Sequence, residues 1–435
     1  MLVVVLASAV WAVSAGAQSR RVEKPKLGMT PGTRVLSPLP GPKDTNAASV
    51  AISRNGTTLV VGQPGNFQDR ALTGTTPGTA YVFVRASRSS RWQQKAVLAA
   101  PGGKVAGNGF GQAVAVSPTG NEIAVGAPGT SIGGHTNTGA VYVFTRSAGG
   151  WSSKSPVASL TPSDPADSKG IGDAVGISTS TVVAGNGHGQ PVYVFERRTR
   201  AWANATQKAE LSAPQPPARC SKNPFNTFGS AVAVDGQTVA VGFNTYPSAR
   251  SCQPSGAVFM FERPAAGWAN TSTPTATLQS KDGGTNDELG TSLALQGGTL
   301  VAGAPNTTVA GFPAVGAVYV FERPQSGWGS ATETARLAPP VPFAGDLLGG
   351  TVGISGNTIV ASNSICPNGP ANCPFVFSKS AGRWRKQSRE LVPPVSSQHA
   401  GGTPPLAAGG GIAIDVSEIG RLPVVVFDLA RAGTT

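Results

Sequence analysis

The chain has 435 residues, 13% of them charged, with 57 Gly, 36 Pro and a formal net charge of +13 from 34 basic and 21 acidic side chains. That length ordinarily divides into two or three cores, but so much Gly and Pro between short runs of Val, Ala, Ile and Phe excludes long helices and favours many short strands joined by turns. The basic excess is thinly spread and lacks the stripe of interleaved stacking aromatics that a nucleic-acid surface needs, so it is read as solubility and general affinity for acidic polymers.

In chain order, Leu2 to Val13 form an apolar run too short to span a bilayer, and Ala15-Gly16-Ala17 follows as a small-x-small cleavage site. Residues 1–17 are therefore read as a signal peptide, although its n-region lacks the usual Lys or Arg. Residues 18–31 are a flexible segment, and the product is expected to be secreted, monomeric and without a membrane span after cleavage. The four cysteines, Cys220, Cys252, Cys366 and Cys373, are an even number behind a secretory start, for which structural disulfides are the default. Sequons at Asn55, Asn204, Asn270 and Asn306 are glycan acceptors in a eukaryotic host and carry no meaning in a bacterial one.

From residue 32 to residue 428 the chain repeats itself. The unit is clearest from Phe110: FGQAVAVS, EIAVGAP, GAVYVF, then a segment with Trp that ends in an apolar residue. Units start near Asn46, Phe110, Ile171, Phe228, Leu289, Leu348 and Ala408, seven in all, with the first and last degenerate. Within each, apolar residues alternate at period two, which predicts four antiparallel strands, A to D. Turns such as Asp235-Gly236-Gln237 and Ser355-Gly356-Asn357 join A to B. The Phe ending strand C and the next Trp are seven residues apart in five units, as from Phe144 to Trp151 and from Phe261 to Trp268, and nine apart in the first, from Phe83 to Trp92, which predicts one C–D hairpin geometry used six times.

A four-stranded sheet cannot bury both faces alone, so seven such sheets predict an all-β, seven-bladed β-propeller. The last unit stops after Val424-Val-Val-Phe427, while Gly32 to Pro40 resembles a D strand, so the N-terminal strand is expected to complete the last blade and close the ring. Residues 429–435 form a short tail.

Phe110-Gly111 with Gly126-Ala127-Pro128, and Phe228-Gly229 and Gly303-Ala304-Pro305 further on, resemble FG-GAP repeats, the units of the integrin α-chain N-terminal propeller. The resemblance covers about residues 34 to 428. It implies a seven-bladed propeller, an extracellular location and a role in adhesion or ligand recognition, without fixing a ligand. Many such propellers carry a D-x-D-x-D-G calcium loop between strands A and B. Here that place holds short turns with at most one acid, such as Asp235, so neither calcium nor another cofactor is expected.

If strand A runs from a first face to a second, the B–C and D–A loops share the first face, and the long irregular loops all fall there: residues 66–77, 129–138, 244–255, 306–315 and 366–373. Irregular loops on a rigid scaffold are where binding sits, and neutral drift explains them nearly as well. Cys220 in a D–A loop and Cys252 in the next B–C loop are expected to pair, and Cys366 and Cys373 to close one B–C loop.

Asp44, Asn108, Asn226, Asp287 and Asp346, each two residues before a strand-A entrance, are placed near the channel mouth. They either bind a polar ligand or cap their own turns, the second being favoured. Arg85, Arg146, Arg197, Arg263, Arg323 and Lys379 stand beside Trp92, Trp151, Trp202, Trp268, Trp328 and Trp384, as cation–π pairs or as an anionic-glycan surface. His135, His188 and His399 are isolated, no catalytic spacing occurs, and acids are sparse, densest at Asp282, Asp287 and Glu288.

The expectation is a non-catalytic recognition or adhesion module for an extracellular protein or glycan, with no nucleic acid involved. The alternatives are a matrix or wall component held by charge and, less favoured, a hydrolase or lyase at the channel mouth.

Overall fold

The period-two alternation does make strands throughout. The computed structural model describes residues 33–34, 49–65, 77–87, 90–102, 107–153, 155–186, 189, 191–220, 226–248, 251–364, 374–390, 406–409, 412–416 and 424–428. The signal-peptide and N-terminal-segment expectations, Asp44, Cys366, Cys373, His188 and His399 lie outside them.

Seven antiparallel sheets of A–B–C–D order are found among the described residues, one per repeat. The fifth is representative, with strands Ser292–Gln296, Thr299–Ala304, Ala317–Glu322 and Ala335–Leu337. The innermost strands, Ser49–Ile52, Val114–Val116, Ala174–Ile177, Val232–Asp235, Ser292–Gln296, Val352–Ser355 and Leu406–Gly409, each touch the next, and the last touches the first. Seven strands in a closed cycle of contacts define a propeller around an axis.

Closure works as expected from the sequence. Thr33–Arg34 is the outer strand of the last sheet, pairing antiparallel to Val424–Asp428 with Thr33 opposite Val426 and Arg34 opposite Val425. In that blade the innermost strand is Leu406–Gly409, so Ala408 lies within strand A and not at its entrance.

The Phe-Gly and Gly-Ala-Pro motifs have a shared cause. The N–H of Gly290 donates to the Gly303 carbonyl at 3.0 Å within one blade, and the carbonyl of Gly349 in the next blade lies against the Cα of Gly303. A Cβ on Gly303 would run into that backbone oxygen, so glycine is required where two blades meet. The Phe beside it fills the wedge: Phe110 and Phe228 are fully buried, and Phe110 packs edge-on against Phe144 at 6.0 Å. Each such ring contributes about 1.5–3 kcal/mol by burial.

The C–D connections take two forms. In blades 2 to 5 the chain passes the Trp and lays the next residues along the outer strand of the preceding blade. Ala205–Thr206 runs parallel to Ala158–Thr161, and Thr271 and Ala331 bridge in parallel to Leu211 and Leu278. In blade 6 the turn is a tight hairpin with Lys379 opposite Trp384 and Ser380 opposite Arg383. The single hairpin geometry expected from the Phe-to-Trp spacing is thus corrected: that spacing fixes where the Trp falls, not the path of the chain beyond it.

Candidate functional site

The first face is built from loops zipped together in pairs. In blade 5 the B–C loop carries a two-residue turn at Ala310-Gly311, both at positive φ, closed by Val309 and Phe312 exchanging N–H···O bonds of 3.1 and 2.9 Å. The following D–A loop docks on it through Gly345 N to Pro313 O at 3.2 Å and Leu347 N to Ala314 O at 3.0 Å. These two loops present Phe312, Val341 and Phe343, which are 48%, 57% and 41% exposed. Among the described residues, Val157 is the one other large apolar side chain so exposed.

The same device recurs at blades 2 and 3 with opposite chemistry. Gly133-Gly134 forms the turn between Ile132 and His135, and the D–A loop docks through Ser168 N to Thr136 O and Gly170 N to Asn137 O, both 2.9 Å. Here the loops carry ions: His135 Nδ1 stands 3.7 Å from Asp167, and Lys169 Nζ lies 2.7 Å from Asp164 and 3.2 Å from the Tyr193 hydroxyl. Burial opposes the Lys169 charge, but bonding to Asp164 and Tyr193 outweighs it and raises its pKa. Lys169 occupies the place held elsewhere by the Asx residues.

Those Asx residues are spent on their own turns. Asn108 Oδ1 accepts from Phe110 N and Asn226 Oδ1 from Phe228 N, each at 3.0 Å. Asp287 Oδ2 accepts from Gly284 N at 2.7 Å and Asp346 Oδ2 from Phe343 N at 2.9 Å. Asn108, Asp287 and Asp346 are buried while Asn226 is exposed, so they do not form a solvent-facing ring. Burial raises the pKa of Asp287, with the Gly284 bond and Arg336 opposing. Cys220 and Cys252 form a disulfide that ties a D–A loop to the next B–C loop, and the Tyr246 hydroxyl donates to Gln215 O across the same two loops at 3.0 Å. Among the described residues no three His, Cys, Asp or Glu are grouped to hold a metal ion.

On the second face four of the six basic residues meet carboxylates of the preceding blade. Arg197 meets Glu122 at 2.5 Å, Arg263 meets Glu196 at 2.6 Å, Arg323 meets Glu262 at 2.9 Å, and Lys379 meets Glu322. Arg85, Arg197 and Lys379 also lie over Trp92, Trp202 and Trp384 at 4.8, 6.0 and 5.7 Å. The carboxylate partners were missed in the sequence, although the recurring Phe-Glu-Arg at 195–197, 261–263 and 321–323 is their signature. Glu and Arg are adjacent in sequence, yet each pairs with the neighbouring blade. Across the channel, Arg54 of blade 1 reaches Asp235 of blade 4 at 2.7 Å and bridges its second-face mouth.

The chain resembles solved structures in fold. It superimposes on the structure of U3-55K with a TM-score of 0.53 at 11% identity, over 89% of this chain and 96% of that one. With the β-propeller domain of Myceliophteria thermophila Cps50 (Swd1) the TM-score is 0.51 at 12% identity, over 88% and 96%. No curated protein matches the sequence. The FG-GAP repeat family model matches at residues 92–144 and 273–321. The chain is thus an all-β propeller in which FG-GAP repeats are detected in those two regions.

Proposed function

We propose that this protein is a secreted, non-catalytic recognition module that engages an extracellular protein or glycan through its first face. The observation that carries the reading is that Phe312, Val341 and Phe343 stand exposed on two loops locked to each other, whereas Phe110, Phe228, Phe259, Phe321 and Phe377 are buried. Exposed apolar groups on a rigid support are the usual anchors of an interface. The polar counterpart at His135, Asp164 and Asp167 supplies orienting contacts on the same face.

Retention by basic charge alone is the weaker reading, because Arg197, Arg263, Arg323 and Lys379 already face carboxylates. Hydrolysis at the channel mouth is weaker still, since Asp287 and Asp346 each accept a hydrogen bond within their own turns. The test is binding of the disulfide-intact chain to a glycan and matrix-protein array at about 0.15 M and 1 M salt, which straddle strong screening. One ligand retained at high salt and lost by at least about tenfold in Phe312→Ser with Phe343→Ser is expected, since anchor truncation costs about 1–2 kcal/mol or more. Salt-labile binding to every acidic polymer, unchanged in that variant, would overturn it.

A further inference from the structure

The straps that follow Trp151, Trp202, Trp268 and Trp328 expose a difference between the blades. A backbone N–H at the outer strand of each preceding blade is capped by a polar side chain two residues after the Trp. Val97 N donates to Ser153 Oγ, Ser159 N to Asn204 Oδ1, Glu210 N to Asn270 Oδ1 and Thr277 N to Ser330 Oγ, all at 2.8 to 3.0 Å. In two blades the strap backbone also adds a one-residue parallel ladder: Thr271 N to Glu210 O and Ser212 N to Thr271 O, then Ala331 N to Thr277 O and Gln279 N to Ala331 O.

Among the described residues, blade 5 has no strap on its outer strand. Blade 6 turns back at Ala381-Gly382 and enters its own outer strand, Arg383–Glu390, at once; that strand lies beside Ala335–Leu337 without pairing to it. The groups that correspond to Thr277 N, Thr277 O and Gln279 N are Arg336 N, Arg336 O and Ala338 N, as fixed by Arg336 lying opposite Tyr319 where Thr277 lies opposite Phe259. They line a cleft of about 800 Å³ between blades 5 and 6, with Leu337, Pro339, Arg383 and Trp384. Trp384 is half-buried there, whereas its counterparts Trp151, Trp202, Trp268 and Trp328 are buried.

We propose that this cleft is a docking slot for an extended peptide segment of a partner protein, which adds a short parallel strand to Ala335–Leu337 as the straps do elsewhere. The occupant is specified by the molecule's own examples: Ser or Asn to accept from Arg336 N, then a small residue such as Ala or Thr whose N–H and C=O meet Arg336 O and Ala338 N. Main-chain pairing at an open edge supplies the affinity, and the polar side chain sets the register. Val309 reaches the rim of the slot, but neither Phe312 nor Phe343 lines it, so Phe312→Ser with Phe343→Ser keeps the lining residues.

The test is amide hydrogen exchange on the full, disulfide-intact chain, with the synthetic peptide Ser-Gly-Trp-Gly-Ser-Ala-Thr-Glu-Thr, the sequence of residues 326–334, as probe. Without peptide, Arg336 and Ala338 amides are expected to exchange at least roughly tenfold faster than Thr277 and Gln279. With peptide at about 1 mM, chosen for a weak site, both should slow. Arg336→Pro, which deletes the edge donor, should abolish the effect, while Arg336→Ala should keep it. Because the proline variant tests folding as well, a peptide N-methylated at its Ala serves as a second probe on wild-type protein, where it should give no protection. Equal protection without peptide would mean that the slot is already filled by this chain or a second copy, and the proposal fails. Absence of protection with peptide, or equal protection by the methylated peptide, also overturns it.

Discussion

Asp287 is 5% exposed and keeps its place by accepting the Gly284 N–H at 2.7 Å. Burial raises its pKa in the folded chain above the unfolded value. A carboxyl shifted upward binds its proton more tightly when folded, so its contribution is most favourable below the unfolded pKa and declines as pH rises through the folded one. Asp287→Asn keeps an acceptor and removes the buried charge. Melting curves between roughly pH 4 and pH 8 should therefore show a flatter profile and, at neutral pH, stability no lower than wild type. Asp287→Ala leaves a part-buried N–H unpaired and should cost about 1–3 kcal/mol at all pH values. Equal behaviour of the two variants would refute the turn-capping role. Arg336 is a residue with two sides: its guanidinium lies 5.9 Å over Tyr319 and donates to Thr308 O, while its backbone edge faces the cleft.

At the scale of the element, the repeated glycine is where strand chemistry becomes ring chemistry. Gly303→Ala should destabilise by about 1–3 kcal/mol, as overpacking does. Gly329→Ala, where an added Cβ meets nothing, should fall within about 0.5 kcal/mol of wild type. Denaturant midpoints of the two variants check this, and similar values would remove the interlock from the account. The inter-blade ion pairs are a lesser contribution: half-exposed pairs are worth about 0–1 kcal/mol each. Their consequence is orientation, since each holds one C–D connection to the blade before it.

Over the whole molecule, one short pairing joins strands that lie before the first repeat and in the last. Thr33 and Arg34 complete the sheet that contains Val424–Asp428, so the ring is latched by residues almost 400 positions apart. Deleting residues 33–39 should lower the melting temperature by at least about 4 °C. An unchanged melting temperature would mean that the last blade does not need its N-terminal strand. The loop pairs at Pro313 with Gly345 and at Thr136 with Ser168 each tie two neighbouring blades together.

Much of the architecture was legible in the sequence because it is periodic. Alternation at period two defined the strands, the recurrence of Phe-Gly and Gly-Ala-Pro gave seven units, and the missing last D strand paired with a spare one before the first unit. The Cys220–Cys252 bridge followed from the shared face of two consecutive loops. Other features needed tertiary structure, because they depend on what a residue meets in the next blade. Glu196 and Arg197 look like a self-contained pair along the chain, yet side chains of successive strand residues point apart, and each finds its partner one blade away. At the Asx positions the sequence left ligand binding and turn capping both open, with capping favoured, and their oxygens are seen to accept neighbouring backbone N–H groups. The open edge at Arg336 was invisible for the same reason: the Phe-to-Trp spacing is seven residues in blades 5 and 6 alike, and only packing decides whether the residues after the Trp cover the preceding blade or turn away from it.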